Sequence, residues 1–198
     1  GEWVVDLRSR KAYVVSHLAG TVSLGLDGPL ATWLGWMIDW GAPVTLVGES
    51  SEQVAEAQRE LARIGVDKVA AAATGQPEEL AAEPGQLRAT TTATFRDLAD
   101  TIDGKTELPV ADVVLDVRGN NEYKSGHIEG AVHIPIYELS ERLDELGSGT
   151  VWVHCGSGYR ASAAVAMLEG AGHSMVLLDD QFSNAESAGL TISTQSVT

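Results

Sequence analysis

Val151-Trp152-Val153-His154-Cys155-Gly156-Ser157-Gly158-Tyr159-Arg160-Ala161-Ser162 reads as three pieces. Val151 to His154 is a continuous run of the kind buried on both faces of a parallel sheet. A tight glycine-containing loop follows, and a helix is expected from about Arg160 to Glu169. Cys155 then sits at the carboxyl end of a strand, where open α/β folds hold their ligands. Gly156 and Gly158 let successive N–H groups turn inward around an anion. The helix adds its positive N-terminal end. All three effects favour a sulfur anion at Cys155 over the neutral thiol. Arg160 brings a fixed positive charge that can fork onto the loop or onto a bound anion. His154 precedes the cysteine on the strand, so its side chain points to the opposite face, and it is read as structural.

Working outward, the chain repeats itself. Trp3-Val4-Val5-Asp6 resembles Val113-Val114-Leu115-Asp116, and Val44-Thr45-Leu46-Val47 resembles Val151 to His154. At an offset of about 110 residues, Asp6, Arg8, Tyr13, His17 and Gly20 meet Asp116, Arg118, Tyr123, His127 and Gly130. Two domains follow, expected at 1–75 and 87–192, with 76–86 as an Ala/Glu/Pro/Gly linker. Leu87 to Thr92 should open the second domain as a strand, followed by a short helix capped by Thr94. Amphipathic helices are expected at Ser51 to Ile64 and at Leu30 to Trp40. In the latter, Trp33, Trp36 and Trp40 share one face and are expected to pack in the core or between domains. Strands alternating with helices give an α/β fold, each domain a mostly parallel sheet flanked by helices.

The 198 residues carry 13 Lys+Arg against 28 Asp+Glu, a net charge of −15. Nucleic acid and anionic membrane are both unfavourable partners for such a surface. No apolar run approaches the roughly 18 residues that span a bilayer, so a soluble, cytoplasmic protein is expected. The single cysteine cannot form an internal disulfide. Neither a metal-ligand spacing nor a phosphate loop of the Gly-x-x-x-x-Gly-Lys type occurs, so no metal and no cofactor are expected.

Cys155-Gly156-Ser157-Gly158-Tyr159-Arg160 resembles the active loop of the rhodanese family, Cys-x-x-Gly-x-Arg. Leu115-Asp116-Val117-Arg118, Glu122-Tyr123 and Gly126-His127-Ile128-Glu129-Gly130-Ala131 are similar to its upstream signature. Leu178 to Leu190 resembles its closing segment, with Asp179-Asp180 where the family usually has Gly-Gly. The resemblance covers residues 87 to 190. It implies a sulfurtransferase that moves a sulfane sulfur from thiosulfate or a similar donor to cyanide or a thiol. Cys155 would carry that sulfur as a persulfide, stabilised by loop residues 156 to 160. The other reading is a persulfide carrier or regulatory module serving an attached or partner domain. Rhodanese-folded cysteine phosphatases resemble Cys-x5-Arg, whereas four residues separate Cys155 from Arg160 here. In this family a pair such as Asp116 and Arg118 lies near the loop, where Arg118 would orient it or attract the donor. Alternatively the two form a structural ion-pair group with Glu122. His127 is read as a packed turn residue.

The first copy departs from this pattern. Gly48 stands where Cys155 would be, Gln53 stands for Arg160, and Glu49 and Glu52 bring acid to the cradle. A catalytically silent domain is expected. Gly20-Thr21-Val22-Ser23 and Gly28 to Trp36 resemble the rhodanese half of fusions with a metallo-β-lactamase-like, persulfide-dioxygenase-type domain. That resemblance implies a fused metal-binding domain upstream of Gly1, outside this chain.

Overall fold

A computed structural model describes residues 2–194; of the residues expected in the first domain, Gly1 alone lies outside them. The chain divides into two compact units, Gly1–Thr90 and Thr91–Thr198. Unit 1 runs β1 (Trp3–Asp6), α1 (Arg10–Val15), β2 (His17–Leu18), β3 (Thr21–Ser23), α2 (Leu30–Met37), β4 (Val44–Gly48), α3 (Ser51–Arg63), β5 (Val69–Thr74), α4 (Pro77–Leu80) and β6 (Leu87–Arg88). Its main sheet has the order β3-β1-β4-β5, and every pairing is parallel. Unit 2 runs β7 (Thr91–Ala93), α5 (Phe95–Ile102), β8 (Val113–Asp116), α6 (Asn120–Ser125), β9 (His127–Ile128), β10 (Val132–His133), β11 (Thr150–His154), α7 (Tyr159–Gly170), β12 (Ser174–Leu178) and β13 (Ile192–Ser193). Its main sheet has the order β10-β8-β11-β12-β7, again wholly parallel. The α/β class expected from the sequence is the one observed.

Burial explains the strand sequences. Val151, Trp152 and Val153 of β11 are all essentially inaccessible, so residues of both parities are covered. Trp152 packs in one core with Phe95, Leu98, Val176 and Leu178, and its indole N–H donates to the Pro109 carbonyl at 3.0 Å. Thr94 caps α5, its hydroxyl accepting from Asp97 N–H at 3.2 Å.

The same local device closes the β1–α1 corner of unit 1 and the β8–α6 corner of unit 2. Asp6 and Arg8 form a buried pair, and Arg8 also donates to the Ser16 carbonyl. Asp116 and Arg118 do the same, with Gly126 as the carbonyl partner. Tyr13 stacks on His17, and Tyr123 on His127, each at 3.9 Å between ring centroids. Both tyrosine hydroxyls donate to a backbone carbonyl eight residues on, Thr21 and Ala131.

Two expectations need correction. Residues 76–86 are not a free linker: they carry α4 and a 3-10 turn, and the strand after them, Leu87–Arg88, pairs antiparallel with His17–Leu18 inside unit 1. The division falls at Thr90/Thr91 because hydrogen bonding to β2 captures residues that are strand-like by composition. The tryptophans are not core. Helix α2 stops at Met37, buries Leu30 and Leu34, and leaves Trp36 60% and Trp40 83% exposed. They line a cleft of about 720 Å³ together with Gly35, Ile38, Ile64 and Lys68. Among the described residues, no helix is long and apolar enough to cross a membrane.

Candidate active site

Strand β11 delivers Cys155 to the carboxyl edge of the unit 2 sheet, and α7 begins four residues later. The cysteine side chain is buried. Gly158 N–H points at its Sγ from 3.2 Å. Gly158 can do this because it adopts φ +95°, a left-handed conformation that only glycine enters without strain. Gly156 lies close under the closing pair: a Cβ there would sit 3.2 Å from Arg160 Nη2 and 3.7 Å from Glu122 Oε1. Tyr159 and Ser162 are buried in the first turn of α7, with Ser162 Oγ donating to the Tyr159 carbonyl.

Arg160 folds back over the loop. Its two terminal nitrogens donate to Glu122 Oε2 at 2.5 Å and Oε1 at 2.8 Å, a fork-to-fork pair. Burial works against the Arg160 charge, but Glu122 and the Cys155 sulfur outweigh it and keep the guanidinium firmly protonated. Arg160, through its hydrogen bonds, holds the Glu122 carboxyl below the ordinary carboxylate range. Glu122 is thus the partner of Arg160 and not of the Asp116–Arg118 pair, a correction to the grouping expected from sequence. The missed signal was Arg160 itself. A cation at a helix N-terminus opposes the dipole and calls for a carboxylate.

Asp116 and Arg118 lie at the end of the neighbouring strand. Arg118 Nε and Nη2 donate to both Asp116 oxygens, at 2.6 to 3.0 Å. Burial pushes the Asp116 carboxyl up, yet the Arg118 hydrogen bond, with the charges of His154 and Arg118, leaves it below its usual value. The Arg118 guanidinium lies over the Phe182 ring. Phe182 also stacks on His154 and binds the loop, its N–H donating to the Gly156 carbonyl at 3.0 Å. Phe182, which sequence reasoning did not single out, therefore joins the ion pair, the loop and the strand. His154 is wholly buried between Phe95 and Phe182, and burial lowers its pKa. Among the described residues, no three His, Cys, Asp or Glu side chains group to hold a metal.

In unit 1 the matching loop is filled from within. Gln53 Oε1 accepts from Glu49 N–H at 2.7 Å, and its amide donates to the Leu7 carbonyl at 3.0 Å. A Cβ on Gly48 would lie 2.8 Å from Gln53 Oε1.

Residues 94–188 match the Rhodanese-like domain family. The chain is 34% identical over 74 residues to thiosulfate sulfurtransferase PspE of Escherichia coli (strain K12), covering 35% of this chain and 71% of that one. It belongs to the rhodanese family. It is also 40% identical over 82 residues to the HTH-type transcriptional regulator Rv0324 of Mycobacterium tuberculosis, covering 40% of this chain and 36% of that one. With the putative sulfur carrier protein YrkF of Bacillus subtilis it shares 37% identity over 65 residues, 32% of this chain and 35% of that one. The chain thus spans about a third of the length of these last two relatives.

Proposed function

We propose that unit 2 is a sulfurtransferase in which Cys155 takes a sulfane sulfur from thiosulfate or a similar donor and passes it, as a persulfide, to cyanide or a thiol. The observation that carries this reading is the Gly158 N–H aimed at Cys155 Sγ from 3.2 Å at the start of α7. An amide fixed there stabilises negative charge on sulfur without reorganising. Gly156, Ser157, Gly158, Tyr159 and Arg160 form the persulfide cradle, and Asp116 with Arg118 support it through Phe182. In the first half-reaction the Cys155 sulfur attacks the outer sulfur of thiosulfate. The S–S bond breaks, sulfite leaves with the electron pair, and Cys155–S–S⁻ remains. In the second, the acceptor attacks the terminal sulfur and Cys155 recovers its thiolate. No general base is required once the thiolate is formed. Unit 1 has neither thiol nor cation in the equivalent loop and is a silent domain.

The test is thiocyanate formation from thiosulfate and cyanide by the full chain and by Cys155→Ser. Turnover that is lost in the variant is the expected result. Turnover that survives in it would remove Cys155 from the mechanism. The relation to a putative sulfur carrier protein favours a second reading, a persulfide carrier with little free turnover. A mass gain of one sulfur on Cys155 without thiocyanate would select it.

A further inference from the structure

Tyr123 carries a ring on each face. His127 stacks at 3.9 Å and His133 at 4.0 Å, both nearly parallel to it, so the two imidazoles take opposite sides. His133 ends β10, level with Asp116 on β8. Its Nε2 lies 2.9 Å from the Arg118 carbonyl. A carbonyl only accepts, so this nitrogen carries the proton and donates. The other end of the same peptide unit, Gly119 N–H, donates to Glu122 Oε2 at 3.2 Å. Glu122 forks onto Arg160, and Arg160 in turn engages the Cys155 sulfur. A chain of hydrogen bonds thus runs from His133 to the sulfur. Its middle link is a planar peptide, so holding the carbonyl fixes the direction of the N–H and polarises it as a donor.

Unit 1 separates scaffold from chemistry. Asp116, Arg118, Tyr123 and His127 recur there as Asp6, Arg8, Tyr13 and His17, with the same ion pair and the same ring stack. Cys155, Arg160, Glu122 and His133 recur as Gly48, Gln53, Ala12 and Ser23. The strand register sets Ser23 beside Asp6 as it sets His133 beside Asp116. The Ser23 hydroxyl is buried and, among the described residues, has no hydrogen-bond partner. His133 therefore disappears together with the thiol, its cation and the carboxylate between, while the fold that both units share stands without it.

Resting on the sulfurtransferase reading above, we propose that His133 is a positioning residue of the Cys155 site: it aims the Gly119 N–H at Glu122, and Glu122 sets Arg160 over the sulfur.

His133→Phe keeps a ring on Tyr123 and removes the donor, whereas His133→Gln keeps a donor of similar reach. The Gly119 amide proton, followed by NMR with no sulfur donor present, reports the contact with Glu122 directly. Its resonance should move upfield in His133→Phe and return toward its native place in His133→Gln. Sulfur uptake by Cys155 from thiosulfate, followed by mass over time, should slow about fivefold in His133→Phe, the scale of one hydrogen bond, and recover in His133→Gln. Starting from Glu122→Ala, His133→Phe should cost no further rate, because the link through which it acts is already gone. Equal slowing in both backgrounds would mean that His133 only supports the fold, and would overturn the proposal. So would an unmoved Gly119 amide, or no recovery with glutamine. If His133→Phe does not fold, His133→Ser, which places there the residue type unit 1 uses, makes the same test. A native chain that takes up no sulfur would sink the sulfurtransferase reading alone, and the Gly119 amide would still decide where His133 acts.

Discussion

The Arg118 guanidinium carbon lies 3.6 Å from the centroid of the Phe182 ring. The arginine belongs to the β8 strand end and the phenylalanine to the segment after β12, 64 residues apart in sequence. Because Phe182 also binds Gly156 through its backbone, a buried ion pair on one strand is mechanically joined to the cysteine loop on the next. We propose that the Asp116–Arg118 pair acts on the loop as a brace through Phe182.

Phe182→Ala should test the brace. It removes the cation–π contact and two ring contacts, with His154 and Phe95. The expected loss is about 2–3 kcal/mol in urea unfolding of unit 2, because the ring is only half-buried. Sulfur uptake by Cys155 should slow as well. A change below about 0.5 kcal/mol would show that the loop holds itself.

Asp116→Asn leaves the buried Arg118 charge without its counter-ion. Breaking such a pair from one side costs about 3–5 kcal/mol, far more than the intact pair contributes. Chemical denaturation should show this loss in unit 2. An unchanged midpoint would mean that water reaches Arg118.

A titration of stability should carry the signature of His154. Burial lowers its folded pKa from the ordinary 6.5. The unfolded chain takes up a proton as pH falls through 6.5, while the folded chain does so only at lower pH. Stability is thus full above 6.5 and declines below it, by at most about 1.4 kcal/mol per pH unit. Asp116 acts in a separate window. Its folded pKa lies below 3.8, so its contribution is lost only as pH falls beneath that value. His154→Leu should flatten the decline below 6.5. Thermal melts from pH 8 to 4 provide the measurement, and an unchanged slope in the variant would assign the decline elsewhere.

These relationships differ in how far the sequence disclosed them. The β11–loop–α7 unit was legible because its signals are local: a Val-rich run, two glycines and a helix within twelve residues. The parallel sheets followed from strand–helix alternation. What escaped depends on contacts between distant segments. Glu122 lies 38 residues from Arg160, and Phe182 sits in a short 3-10 turn without periodicity. Leu87–Arg88 reads as the start of unit 2 until β2 is seen beside it. The tryptophans keep helical spacing up to Trp36, but the chain leaves the helix at Met37. Periodicity cannot say which face a helix turns to the core.

The last prediction concerns unit 1. Restoring a thiol there should not restore sulfur uptake. In Cys155→Ser/Gly48→Cys the new Cβ would lie 2.8 Å from Gln53 Oε1, which is fixed by Glu49 N–H and cannot retreat without breaking that bond. The loop would still end in an amide where unit 2 has the Arg160 cation, and Glu49 and Glu52 would disfavour charge on the sulfur. Adding Gln53→Arg removes the obstruction but leaves both carboxylates. Incubation with thiosulfate followed by mass measurement should show no added sulfur in the first variant. The second should take up sulfur at least about tenfold more slowly than the native chain, since a lost oxyanion-type contact costs on that order or more. Rapid uptake by Cys155→Ser/Gly48→Cys would mean that the unit 1 loop opens readily, and that missing chemistry rather than a filled cradle accounts for its silence.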